Sequence, residues 1–220
     1  MYILSDTQVG RYFQNGYLLV SGLIPEDISQ KIEERIWLQF GIDRQNPDWT
    51  KAVLEESDHP DSLACYTEEF LLAAAQLAGD DPSSFRKPNK VFGLHTFPST
   101  GQWSWPSPHI DHAIKAHGHK TFPRAFRIAA MIFHSDVGLH GGGTIVWPES
   151  HHQIRALAES DPKRYEYMWV LNGDIHQLDL KEPIEVTPSR GDVLFYDVFC
   201  AHSGSKNVTE RPRLAYNWKQ

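Results

Sequence analysis

Cysteine is scarce in this chain, which has only Cys65 and Cys200 among its 220 residues. The two thiols lie far apart in the sequence, and their spacing is not that of a zinc site. One pair of cysteines cannot form the dense disulfide framework that stabilises small secreted domains. We therefore expect two reduced thiols, as in a protein of the cytoplasm.

Long apolar segments are missing as well. No apolar run approaches the roughly 20 residues that cross a bilayer. The first six residues, MYILSD, contain neither a basic region nor a cleavable apolar segment. The sequence thus predicts an unexported cytoplasmic protein without a membrane partner.

Positive charge is the third scarce feature. Lys and Arg number 21 against 28 Asp and Glu, which gives a net charge of −7 with neutral His. No block of basic residues interrupts the chain, so we do not expect a nucleic-acid partner.

The remaining composition is that of an ordinary globular protein, with 40% hydrophobic and 22% charged residues. A chain of this length fits one domain, because domains usually contain about 100–200 residues. We therefore predict a single domain over residues 1–220. The sequence does not determine its oligomeric state.

The first part of the chain, about residues 1–88, has helical periodicity. Ile28, Ile32, Ile36 and Phe40 recur every four residues after a start near Pro25, which predicts an amphipathic helix. A second helix is predicted from about residue 61 to Gly79 by apolar residues at three- and four-residue steps.

The rest, about residues 89–220, predicts short strands broken by Pro and Gly. The apolar segments are 91–97, 126–134, 144–147, 184–187, 192–196 and 214–218. Residues 151–181 interrupt them with a helix around 155–160 or 161–168, and this insertion would cover one mouth of a barrel. The predicted fold is mainly β with flanking helices, in the form of a barrel or double-sheet jelly roll.

A possible metal site is formed by His109, Asp111 and His202. Residues two apart share a face of an extended strand, so His109 and Asp111 can converge on one ion. His202 follows an apolar strand that could carry it into a buried site. Two His and one carboxylate leave open positions on an octahedral ion, as in non-haem iron(II) oxygenases. Taken alone, a His-x-Asp pair favours a surface loop over a metal site, because two such residues often fall at this spacing by chance.

An ordered set of motifs extends over most of the chain. It comprises FQNGYLLV (13–20), PHIDH (108–112), SDV (135–137), GGTIVWPESH (142–151), GDV (191–193), HSGSKN (202–207) and RPR (211–213). Together these motifs resemble the phytanoyl-CoA dioxygenase family.

The resemblance implies a double-stranded β-helix, a cupin-like jelly-roll barrel, that uses iron(II), 2-oxoglutarate and O2. It implies that His109, Asp111 and His202 bind the metal. It also implies that Arg213, eleven residues after His202, holds the distal carboxylate of 2-oxoglutarate. Thr144 could hydrogen-bond that carboxylate, or could serve only strand formation. The expected activity is hydroxylation of a small-molecule metabolite with release of succinate and CO2.

Two positions depart from the family pattern. Glu149 stands where Gly is usual, which changes a turn rather than the chemistry. Ile110 stands where some relatives have a Gln that reaches the co-substrate, so the C1 carboxylate needs another donor. The chain also has no evident basic patch for the phosphates of coenzyme A, and an acyl-CoA substrate is not expected.

Four residues are candidates for substrate contact, each with an ordinary structural alternative. Trp103 and Trp105 could wall the pocket or pack against the end of the barrel. Arg127 could meet an anionic substrate group or form a surface salt bridge. His95 precedes the Trp loop and is the fourth candidate. The His residues at 112, 117 and 119 could bind a second metal, although a solvated lid is the better interpretation.

Two other functions remain open. The protein could be a non-catalytic jelly roll that binds a metal or small ligand, as a sensor or a degenerate relative. It could also be a zinc hydrolase with the same three ligands. Arg213 argues against both, because neither needs a clamp for a co-substrate.

Overall fold

The computed structural model describes residues 3–220, so Met1 and Tyr2 of the predicted helical part lie outside the described residues. The helices are α1 (Asp6–Asn15), α2 (Glu26–Phe40), α3 (Pro60–Leu63), α4 (Glu68–Ala78), α5 (Ser150–Ser160) and α6 (Met168–Asp174). The strands are β1 (Tyr17–Val20), β2 (Phe92–Gly93), β3 (Ala129–Phe133), β4 (Thr144–Val146), β5 (Ile184–Glu185), β6 (Val193–Tyr196), β7 (His202–Gly204) and β8 (Ala215–Lys219).

The strands form two antiparallel sheets. The larger sheet has the order β1-β6-β3-β8-β2, and the smaller has the order β5-β4-β7. In the larger sheet β3 is central, with Met131 paired to Leu194 of β6 and to Asn217 of β8. This pairing places β6 and β8, which follow β3 by long connections, on either side of it.

Both faces of the larger sheet are covered. Along β3, Ala130 and Ile132 pack towards α2 and α4 in a helix-side core, whereas Ala129, Met131 and Phe133 belong to a core on the opposite, cavity side. This explains why β3 is apolar at every position instead of alternating. Alternate residues of β3 therefore enter opposite cores, as expected for a strand. The face on which a strand residue lies can be found by counting in steps of two.

Helix α1 and the turn after it explain the first motif. Ser5 caps α1 by accepting from the backbone N–H of Gln8, and Gly16 ends it with a φ of 82°. A Cβ at Gly16 would lie 2.5 Å from Nδ1 of His151, so the glycine is required both by the backbone and by close packing.

Several predicted elements are confirmed and others need correction. Helix α2 has the predicted position, but the second predicted helix is split into α3 and α4 before its confirmed end at Gly79. In the insertion, α5 includes 155–160, whereas 161–167 are not helical. The predicted strand 91–97 shrinks to β2 with single bridges on either side.

The predicted thiol state is confirmed, because Cys65 and Cys200 are both free and buried. Across residues 3–220, the structure has no helix that combines the length and apolar character of a membrane span.

Candidate metal centre

His109, Asp111 and His202 meet at one point of the structure. One ligand atom from each residue lies within 4.8 Å of the others. The backbone brings them together, because His109 and His202 exchange N–H···O bonds of 3.0 and 2.9 Å across an antiparallel bridge. A local pair and a distant residue thus become neighbours.

The segment that carries His109 is not the extended strand that was predicted. The bridge at His109 is isolated, and Asp111 already lies in a turn. The expected facing nevertheless holds, because Ile110 between them is buried in the cavity-side core. Its backbone N–H donates to Oδ1 of Asn172 in α6 at 2.8 Å, so the insertion fixes this segment from outside.

The geometry of His202 presents one nitrogen to the site. Its Nδ1 lies 2.9 Å from the carbonyl oxygen of Cys200. Since only a protonated Nδ1 can donate to that carbonyl, the tautomer compatible with this hydrogen bond carries its lone pair on Nε2, which lies 3.5 Å from Oδ2 of Asp111. This is the tautomer that a metal ligand requires.

The carboxylate of Asp111 is held on both oxygens. Nζ of Lys219 lies 2.8 Å from Oδ1, and the hydroxyl of Tyr196 donates to Oδ2 at 3.1 Å. Burial alone would raise the pKa of Asp111, but His202, Lys219 and the hydrogen bonds outweigh it and lower the pKa. Asp111 is therefore an anion at neutral pH.

His109 is neutral in the same environment. Burial lowers its pKa to about 4, and the neighbouring His202 acts in the same direction. Metal ligation requires deprotonated donors, so both His109 and Asp111 are in the required form without a proton having to leave.

The three residues line a cavity of about 290 Å³ that also contains Arg213 and Thr144. Arg213 is 3% exposed, and its guanidinium donates to the carbonyl oxygens of Gly142 and Leu94 at 2.7 and 3.0 Å. Its Nε is buried without a hydrogen-bond partner among the described residues. Burial lowers the pKa of Arg213 to about 10, so the side chain stays cationic at neutral pH. Arg211, in contrast, is exposed.

None of the four predicted substrate residues belongs to the described lining of this cavity. The ring of Trp103 stacks on His140 with centroids 4.2 Å apart, and Trp105 is 53% exposed. Arg127 forms the surface salt bridge that was its alternative, with Asp80 at 3.1 Å, and also donates to Ser84.

His95 is enclosed by aromatic residues away from the cavity. Its ring lies 5.1 Å from that of Phe40 and 6.3 Å from that of Tyr216. Burial and, to a lesser degree, the nearby charge of Arg213 lower the pKa of His95 to about 3, so His95 is neutral at neutral pH. All four predicted substrate residues thus lie outside the described lining of this cavity, and a contact between any of them and a substrate stays a prediction.

Sequence analysis did not identify Tyr196, Asn217 and Lys219, which line the cavity and bind to Asp111 directly or through one another. Asn217 donates to the hydroxyl of Tyr196 at 3.2 Å, and that hydroxyl donates to Asp111. Counting by two from Arg213 along the final strand would have found Asn217 and Lys219, because alternate residues of a strand share a face.

His112, His117 and His119 do not form a second metal site within residues 3–220. The rings of His112 and His119 stack with centroids 4.3 Å apart, but no third ligand converges on them. A larger cavity of about 550 Å³ near Arg190 and Glu33 has no histidine in its described lining.

The comparisons with solved structures concern the fold. The chain resembles the non-heme alpha ketoglutarate dependent epimerase SnoN from nogalamycin biosynthesis, with a TM-score of 0.60 and 18% identity over 96% of this chain and 80% of SnoN. It resembles the carbocyclase SnoK from nogalamycin biosynthesis with a TM-score of 0.63 and 18% identity over 97% and 82% of the two chains. For EctD from S. alaskensis with bound Fe, the TM-score is 0.64 at 15% identity over 98% and 76%.

The comparison with family models concerns the sequence itself. Among curated proteins, none matches the chain. The family model described as phytanoyl-CoA dioxygenase matches residues 12–215, which is most of the 220-residue chain and includes all three converging residues and Arg213. The chain therefore belongs to the phytanoyl-CoA dioxygenase family.

Proposed function

We propose that the protein is an iron(II)- and 2-oxoglutarate-dependent dioxygenase that hydroxylates a small-molecule metabolite. The observation that carries this proposal is the shared cavity, in which a His-Asp-His set lies together with a buried, cationic Arg213. A metal-binding jelly roll without catalysis, or a zinc hydrolase, would need the first feature and not the second.

The residues fit both groups chemically. Two imidazoles and one carboxylate suit iron(II) and leave coordination positions open for other ligands. Arg213 suits a carboxylate, because its Nε–H is buried without a partner and a carboxylate can accept from a guanidinium in a bidentate pair. Thr144, buried in the same cavity, offers a hydroxyl for the same group.

Iron(II) and 2-oxoglutarate bound here would supply the oxidation by O2 that converts the co-substrate into succinate and CO2. The chain's own residues bind and orient. His109, Asp111 and His202 would hold the ion on one side and leave the cavity side open. Arg213 would fix the distal carboxylate, which sets the direction of the co-substrate.

The residues around the ligands hold them in position. Tyr196 and Asn217 form a hydrogen-bonded chain to Asp111, so the carboxylate cannot rotate freely. The carbonyl of Cys200 fixes the ring of His202. Such outer contacts usually affect metal affinity by about 10–100-fold.

We further propose that the two antiparallel sheets form the double-stranded β-helix of this family and that residues 1–220 act as one catalytic domain. The helix-side core supports the second point, because it includes Leu4 near the start of the chain and Trp218 near its end. Strand β1 of the N-terminal part also pairs with β6.

The experiment is an anaerobic titration of 2-oxoglutarate into the iron(II)-loaded protein, followed by exposure to air in the presence of each member of a set of small metabolites in turn. We expect a charge-transfer band on chelation and then succinate release, with an oxygen atom added to the substrate by mass spectrometry. SnoN and SnoK are described as an epimerase and a carbocyclase. A product of unchanged mass, or one lighter by two hydrogens, would therefore exclude hydroxylation without excluding the oxygenase class. Absence of the band would exclude the proposal itself.

A further inference from the structure

With iron(II) and 2-oxoglutarate bound, the cavity would have a net positive charge. This inference rests on the proposed function. The described lining contains one carboxylate, Asp111, and two permanent cations, Arg213 and Lys219. A divalent ion and these cations would supply four positive charges. Asp111 and the dianionic co-substrate would supply three negative charges, so one positive charge remains.

The remaining positive charge lies on Lys219, because the other cations of the cavity already have partners. Arg213 would pair with the distal carboxylate, and the ligand set would surround the ion. Lys219 lies six residues further along the same strand face and is held only by Oδ1 of Asp111, at 2.8 Å. An ammonium group has three N–H donors, so two remain available. Its side chain is 23% exposed, which places it at the opening of the cavity rather than in the core.

The other side chains near Lys219 are aromatic rings and imidazoles, and none of them is a carboxylate. Its Nζ lies 5.8 Å from the centre of the Phe126 ring, and the ring of His112 lies 4.9 Å from the same phenyl group. His119 stacks on His112. Within the described chain, Asp111 is the one carboxylate that pairs with Lys219.

The loop that follows His109 and Asp111 also lacks acidic side chains. Residues 112–128, which lead from the ligand pair to β3, contain no Asp or Glu, although the whole chain has a net charge of −7. All four Lys and Arg side chains of the loop are engaged elsewhere. Nζ of Lys115 lies 4.8 Å from the centre of the Trp169 ring. The other three form ion pairs: Lys120 with Glu166, Arg124 with Asp197 and Arg127 with Asp80. They leave the charge at the cavity opening to Lys219.

We propose that the substrate carries a singly charged anionic group, such as a carboxylate or a sulfate, and that Lys219 binds it at the opening of the cavity. A buried or half-buried charge is costly unless it is compensated, so a neutral substrate would leave the occupied cavity with one net positive charge and bind less well. Lys219 is thus a specificity-determining residue.

The test uses a matched pair of small probes. Methanesulfonate and dimethyl sulfone have nearly the same shape, but only the first is an anion. We would load the protein with Mn(II) and 2-oxoglutarate and measure the relaxation of the probe methyl protons, which the paramagnetic ion enhances only at close range. A charge-assisted hydrogen bond should make methanesulfonate bind on the order of tenfold more tightly than the sulfone.

Three variants make the result specific. The preference should disappear in Lys219→Gln and be retained in Lys219→Arg. It should also be retained in Lys120→Gln, which removes a loop cation of equal charge that pairs with Glu166. If Lys219 served only to hold Asp111, Lys219→Gln would weaken Mn(II) binding and leave the ratio between the probes unchanged.

The outcomes separate this inference from the proposed function. Calorimetry on the same samples measures 2-oxoglutarate binding independently. Normal 2-oxoglutarate binding with equal relaxation of the two probes, or a preference that survives Lys219→Gln, would overturn the anionic-substrate inference alone. Failure of 2-oxoglutarate to bind the loaded wild-type protein would overturn both.

Discussion

Replacement of Arg213 should impair binding of the co-substrate far more than replacement of Arg211, two residues earlier. Arg213 is 3% exposed and faces the cavity, whereas Arg211 is exposed at the surface. In Arg213→Ala the distal carboxylate would be buried without a cation, at a cost of roughly 3–5 kcal/mol. At about 1.4 kcal/mol per decade, the affinity for 2-oxoglutarate should fall on the order of 10²–10³-fold or more.

The structure also predicts what a conservative variant does. Arg213 donates to two backbone carbonyls while its Nε remains free for a ligand. Arg213→Lys keeps the charge but loses the fixed pair of donors, so it should bind 2-oxoglutarate with an affinity between those of the wild type and Arg213→Ala.

Isothermal titration of 2-oxoglutarate into the iron(II)-loaded proteins without oxygen measures these affinities. Thermal unfolding without 2-oxoglutarate shows whether Arg213→Ala folds, since the carbonyls of Gly142 and Leu94 lose their donor. If Arg213→Ala and Arg213→Lys are both folded and bind like the wild type, or if Arg211→Ala is the weaker binder, the assignment of the clamp is wrong.

Three further predictions concern the metal ligands and a buried histidine. Single replacement of His109, Asp111 or His202 by Ala should abolish stoichiometric iron(II) binding in equilibrium dialysis, and full occupancy in any variant would remove that residue from the ligand set. Tyr196→Phe removes the hydrogen bond to Asp111 and should weaken metal affinity on the order of tenfold, measured by competition with a chelator, whereas unchanged affinity would show that this bond is not needed. Burial lowers the pKa of His134 to about 3, below its unfolded value, so the stability that it contributes is present at neutral pH and lost as the pH falls from about 6.5 towards 3. Between pH 7 and pH 5 the free energy of unfolding should fall by about 2 kcal/mol because of this group, and urea unfolding of His134→Asn should lack that part of the decrease.

Elements with a strong local period could be predicted from the sequence. Helix α2 was found from Ile28, Ile32, Ile36 and Phe40 because a four-residue repeat places these side chains on one face. The end of α4 was found because Gly79 adopts a φ of 69°, which glycine tolerates. Helix α1 was missed although Ser5 and Gln8 form a capping box, a signal that the sequence does contain.

The strands were harder because pairing decides their length. The predicted strand 91–97 contains suitable residues, but only Phe92 and Gly93 are in register with Asn217 and Tyr216 of β8. Local composition does not reveal where a partner strand ends, so the strand shortens to β2.

Part of the candidate site could be predicted from the sequence and part could not. His109, Asp111, His202 and Arg213 were predicted as a set because their motifs occur together in one family, and the structure brings them to one cavity. The four predicted substrate residues do not line the cavity. Residues of an irregular loop do not alternate between two faces, so the sequence could not predict which side chains point into the cavity. Trp105, in a Pro- and Gly-rich loop, is exposed.

A crystal structure of the complex with iron(II) and 2-oxoglutarate, with anomalous diffraction measured at the iron edge, tests the central claim most directly. We predict one anomalous peak about 2.0–2.2 Å from a nitrogen of His109, an oxygen of Asp111 and Nε2 of His202. We also predict that the distal carboxylate of 2-oxoglutarate lies within hydrogen-bonding distance of Arg213. A peak at His112 and His119 instead, or a co-substrate that does not contact Arg213, would contradict the account.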